Sequence, residues 1–185
     1  WVKGGDNSIA WSLLGDFHYD RTGTIWTFKN SIKATYGRSK IGSGTYKTTD
    51  NDLYIENVAV RDFGWAVSPF VSNSIRTQIA KGFDYKVDPA IEIANFFDPG
   101  YITQTFGFTY DKYANVVTRL GIGFQEVISN KFRQYTDPAN LEKKFKFETG
   151  IESVTDINYK IEDNIIYTGK VRFFSQFKSL DTWDV

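Results

Sequence analysis

Almost every stretch of this chain alternates apolar and polar residues with a period of two, and no segment of useful length repeats at the helical period. The pattern is plainest in IWTFKNSIKATYG, residues 25–37. There Trp26, Phe28, Ile32, Ala34 and Tyr36 fall on one face of a strand, and Thr27, Lys29, Ser31, Lys33 and Thr35 fall on the other. A chain patterned in this way is all-β. It reads as strands at residues 8–19, 24–37, 49–61, 65–80, 100–110, 114–128, 144–161 and 164–177, with a ninth beginning at Trp183. Its 185 residues suffice for a single domain, 1–185, and no composition shift divides them.

The links between strands alternate in length. DRTG (20–23), DFG (62–64), DKYA (111–114) and EDN (162–164) carry the Asp, Asn and Gly of tight turns, whereas the links at 38–48, 81–99 and 129–144 are longer. Every second connection of a meander lies at the same end, so the tight turns share one rim and the long links share the other. With strands well beyond the usual five or six residues, this predicts an antiparallel up-and-down (meander) β-barrel of transmembrane outer-membrane type, truncated or part of a larger barrel. Within the 129–144 link, Asp137-Pro138-Ala139-Asn140 is expected to start a short helical turn.

Which face meets water decides the class of protein. In a membrane barrel the apolar phase faces lipid and the polar phase lines the lumen. The charged lumen set is then Lys29, Lys33, Glu56, Arg76, Arg119, Glu148, Glu152, Lys170 and Arg172, whose opposite signs can pair across strands. The outward or interfacial aromatic set is Trp11, Phe17, Tyr19, Trp26, Phe28, Trp65, Phe108, Tyr110, Tyr159 and Tyr167. Most of these lie within a few residues of the tight turns, as an interfacial girdle would. The alternative is a soluble calyx with the aromatic face inward around an apolar ligand and a polar, solvated exterior.

Composition removes several other classes. Lys plus Arg equals Asp plus Glu at 22 each, so no net field recruits nucleic acid. The absence of Cys excludes disulfides, thiolate metal sites and thiol nucleophiles. No stretch of 18 apolar residues provides a transmembrane helix. A start at Trp1 rather than Met is expected of an internal or processed piece.

Three segments carry a resemblance: WVKGGDNSIAWSL (1–13), FFDPGYITQTFGFTYD (96–111) and KSLDTWDV (178–185). They resemble the approaches to strands in an uncharacterised, domain-of-unknown-function family of Bacteroidota-type outer-membrane β-barrel proteins. The resemblance implies a bacterial outer-membrane location, another strand before Trp1 and further strands after Val185. It supplies no catalytic residues.

Candidates for chemistry are few. His18, the one histidine, shares a strand face with Asp16 and Ser12, the bare list for acyl hydrolysis, but no oxyanion motif accompanies them. Asp50, Asn51, Asp52 and Glu56 are oxygen ligands of the kind calcium uses, yet they lack the Gly and closing Glu of a calcium loop and read as a solvated acidic segment. GSGTYK (42–47) lacks the context of a phosphate loop and reads as a flexible outer loop. The expectation is a non-enzymatic protein without metal or cofactor. Its partners are the outer-membrane bilayer and envelope proteins met through loops 38–48, 81–99 and 129–144, in the role of narrow channel, structural anchor or docking subunit.

Overall fold

The computed structural model describes residues 6–113 and 115–178. Eight long strands form one antiparallel sheet: β1 (Ser8–Thr22), β2 (Trp26–Ile41), β3 (Lys47–Arg61), β4 (Ser68–Thr77), β7 (Gly100–Tyr113), β8 (Val116–Ile128), β9 (Phe145–Glu162) and β10 (Ile165–Gln176). They pair strictly in chain order, in a meander that curls into a half-barrel. The two short strands β5 (Gly82–Asp84) and β6 (Ile91–Ala94) form a separate hairpin inside the 81–99 link. The predicted ninth strand at Trp183 lies outside the described residues.

Alternation alone places all eight long strands, but three details differ. The 38–48 link is mostly strand: Arg38–Ile41 continue β2 opposite Ser8–Trp11, leaving only residues 42–46 as a loop. Arg38 and Lys40 of this paired segment lie over the Tyr46 ring at 5.4 and 5.8 Å, in cation–π contact. The helical turn of the 129–144 link is a 3₁₀ turn at Arg133–Tyr135, ahead of the expected Asp137-Pro138 start. Trp65 precedes β4, which begins only at Ser68.

The sheet has an inverted core. Facing inward and buried are Ser68, Ser72, Ser74, Thr103, Thr105 and Thr109, together with Glu56, Arg119 and Glu152 and the apolar Val58, Phe70, Val154 and Phe174. Facing outward and exposed are Leu13, Phe28, Ile32, Phe106, Leu120, Ile122 and Phe173. Short hydroxyl side chains and glycines on the inner face let the sheet bend tightly. At the directly opposed pair Gly107 and Gly121, a Cβ on Gly107 would stand 2.1 Å from the Leu120 carbonyl oxygen, so the strands come closer than any side chain permits.

Candidate functional site

The inner face is the candidate site, and it is organised by ions that meet across the half-barrel. Glu56, on β3, accepts from Arg119 Nη2 at 3.0 Å on β8 and from the Lys170 ammonium on β10. Asp156 on β9 accepts from the same two cations, at 3.2 Å from Arg119 and 3.5 Å from Lys170. One layer further along, Glu152 accepts from Arg172 Nε at 2.5 Å and from the Thr105 hydroxyl. Arg119 and Glu56 are almost wholly buried, which only mutual pairing makes tolerable. β4 and β7 lie between β3 and β8 in the sheet, so the Glu56 contacts span the concave interior, whereas the Asp156 and Glu152 ion pairs join neighbouring strands.

Toward the tight turns the interior opens into a cavity of about 1000 Å³, floored by Glu56, Arg119, Asp156 and Lys170. Lys29 and Lys33 line it and make no ion pair among the described residues; their register partners are Asp20 and Asp16. The other predicted lumen charges pair locally on inward phases: Arg76 with Asp52 at 2.7 Å and Glu148 with Lys146 at 2.7 Å, both toward the long-link rim. A calyx would need the aromatic phase inside, and here that phase is outside.

His18 Nε2 and Asp16 Oδ1 are 2.7 Å apart on the cavity wall, both well exposed. Ser12 lies six residues along the same strand, roughly 20 Å away, opposite Gly37 toward the other rim. The three do not assemble into a triad. Asp50, Asn51, Asp52 and Glu56 are distributed along β3, and no group of three or more His, Cys, Asp or Glu able to hold a metal occurs among the described residues.

The predicted aromatic set is exposed to the outside of the half-barrel. Phe17, Tyr19, Trp26, Phe28, Trp65, Phe108, Tyr110, Tyr159 and Tyr167 are all exposed near the turn rim, with Tyr159 directly opposite Tyr167. Arg61 lies over both Trp26 and Phe63, at 5.4 and 4.6 Å. Trp11 stands apart from this set, edge-on to Tyr36 at 5.9 Å toward the long-link rim. There it belongs to a second row that sequence reasoning missed, with Phe124 stacked on Phe147 at 6.2 Å. Trp26 and Tyr36 are ten residues apart on β2, roughly 33 Å along the strand and roughly 25 Å along the axis at a tilt of about 40°. Exposed aliphatic side chains, Ile32, Leu120 and Ile122 among them, lie between the rows.

At the long-link rim, single polar side chains tie the connections together. The Asp98 carboxylate accepts from the Ser129 hydroxyl at 2.5 Å, the Asn130 amide at 3.0 Å and the Lys131 amide at 2.9 Å. Partial burial works to raise this carboxyl, but the Ser129 hydroxyl and the backbone amides outweigh it and hold it below the ordinary range. The Asn51 side chain accepts from the Ile79 and Ala80 amides and donates to the Ala80 carbonyl and Gln78. Glu92 bridges Lys81 and Lys131 at 3.4 and 3.2 Å. Ala94, Phe132, Ser129 and Thr136 are buried beneath these clasps.

An all-β antiparallel meander curled into a half-barrel, polar within and apolar without, is the class that the fold defines. Residues 1–83, spanning β1 to β4 and reaching into β5, match the model of a family described as Protein of unknown function (DUF3078). An uncharacterised family is thus what this match and the opening WVKGGDNSIAWSL share. No curated protein and no solved structure matches the chain.

Proposed function

We propose that the protein is a membrane-spanning β-barrel of the bacterial outer membrane, non-enzymatic, with its polar interior closed by ion pairs. The observation that carries this reading is the inverted core. A half-barrel that buries Ser, Thr and paired charges while exposing two aromatic rows and the aliphatic band between them has the arrangement that a bilayer stabilises. The roughly 25 Å separation of the rows suits the hydrocarbon thickness that outer-membrane barrels match. An unpaired strand edge has no hydrogen-bond partner in lipid, so the outer edges of β1 and β10 are taken up in pairing when the sheet is in the membrane. The bridged interior favours an anchoring or docking role over an open channel, with the clasped long-link rim as the surface offered to envelope partners.

The test uses the cysteine-free background. Single cysteines are placed at Ile32 and at Lys33, and the protein is reconstituted into liposomes. A lipid-borne quencher is expected to reach a fluorophore at 32 and not one at 33, where only small water-soluble thiol reagents arrive. A chain that stays out of the liposomes, or one whose position 33 sees lipid, overturns the reading.

A further inference from the structure

Three acids and three bases line the inner face in two successive layers: Glu56 and Asp156 with Arg119 and Lys170, and then Glu152 with Arg172. Their formal charges sum to zero. They come from β3, β8, β9 and β10; Glu56 reaches across the concave face to Arg119 and Lys170 where the cavity of about 1000 Å³ ends, while Asp156 and Glu152 pair with neighbouring strands. The Phe174 ring lies against Gly123 on the wall, and Val58, Phe70 and Val154 are buried beside the charges, with Arg119 over the Phe70 ring at 6.0 Å, so charged and apolar side chains fill the passage together. Arg119 and Lys170 each touch two carboxylates, Glu56 and Asp156. Either cation can therefore keep one partner while releasing the other.

We propose that this neutral six-residue belt is an ion gate: it closes the lumen to small ions when intact, and its net charge sets which ions pass when one member is neutralised. The proposal rests on the membrane-barrel reading above. A ring of fixed charge in a narrow, low-dielectric passage admits counter-ions and repels co-ions. An intact belt presents no net charge and no free path. Removing one acid leaves a net charge of one positive unit, and the loosened passage then favours anions. Removing one base leaves one negative unit, and the passage favours cations. A barrel that is merely damaged would leak without this reversal of sign.

The experiment uses the full chain reconstituted into phosphatidylcholine liposomes and planar bilayers across a KCl gradient, with Glu56→Gln, Lys170→Met and Arg172→Met as variants. Flotation with the liposomes is scored first. Wild type is expected to float and to show little steady conductance. Each variant is expected to conduct at least tenfold more, with an anion-selective reversal potential for Glu56→Gln and a cation-selective one for the two base variants. Should Glu56→Gln fail to insert, Lys170→Met and Arg172→Met carry the test, since Lys170 and Arg172 are partly exposed. Floating variants that conduct no more than wild type, or that select the opposite sign to the one expected (cations for Glu56→Gln, anions for either base variant), overturn the gate and leave the barrel standing. A wild-type chain that does not float overturns the membrane reading and the gate with it.

Discussion

The two rims of this half-barrel are built by opposite means. The long-link rim is clasped: Asp98 gathers the start of the β8–β9 link, Asn51 gathers the segment leaving β4, and buried Ala94, Phe132 and Ser129 pack underneath. The turn rim has little of this. Its turns rest on single contacts, such as the Gly64 amide on Asp62 at 2.6 Å and the Gly23 amide on the Trp26 carbonyl at 2.8 Å, and it surrounds the open cavity. Long connections cost more conformational entropy to order than tight turns, so they hold a fixed shape only where buried polar groups are satisfied together. A tight turn is fixed by its own geometry and requires no such clasp.

The largest expected effect that sharpens this contrast is Asp98→Ala. It removes three hydrogen bonds to one carboxylate and is expected to destabilise the folded protein by about 2–3 kcal/mol, read as a shift in urea midpoint in detergent micelles. The matched change at the turn rim, Asp62→Ala, is expected to shift it by less than about 1 kcal/mol; equal shifts would break the comparison. Next comes Asn51→Ala, expected to lose about 1–2 kcal/mol and to speed proteolysis within 81–99 while cleavage near residues 62–67 stays slow.

A pH effect should divide the rims as well. The Asp98 carboxyl is held below its unfolded value of about 3.9, so its contribution is present above that value and is lost as pH falls through the lower folded value. Hydrogen-exchange protection of the Asn130 and Lys131 amides is expected to persist from neutral pH to about pH 4 and to fall in stronger acid, with Asp98→Asn abolishing the dependence. Unchanged protection in acid would remove Asp98 as the clasp. Smallest of all, Lys160→Ala breaks a fully solvated pair with Asp163 at the turn rim, and no measurable change in the urea midpoint is expected.

The strands were legible because a strand half-facing a different medium on each side must alternate, and this one does so with long, unbroken phases. The inward placement of Glu56, Arg119, Glu152, Lys170 and Arg172 followed from the same phases. Their partners did not, since Lys170 and Glu56 stand 114 residues apart and meet only once register and curvature are fixed. The second aromatic row was present as Tyr36, Phe124 and Phe147, with Trp11 beside them, but each passed as one more apolar position of its strand. Recognising the row required strand heights that only pairing supplies. The clasping roles of Asp98 and Asn51 gave no signal, because a carboxylate in a link or an amide on a strand reads the same whether it faces water or gathers a neighbouring backbone. Serine and glycine around residues 42–44 suggested a long flexible loop, yet β2 stays paired with β1 as far as Ile41, opposite Ser8.

The chain-order pairing has a consequence of parity. Seven antiparallel steps separate β1 from β10, so the two outermost strands run in opposite directions. A wholly antiparallel ring accepts such a pair of edges either joined directly or bridged by complete hairpins. One extra strand, or three, would force a parallel seam. Any closed form of this sheet that keeps its antiparallel pattern therefore has an even strand count, eight or more, whatever supplies the remainder.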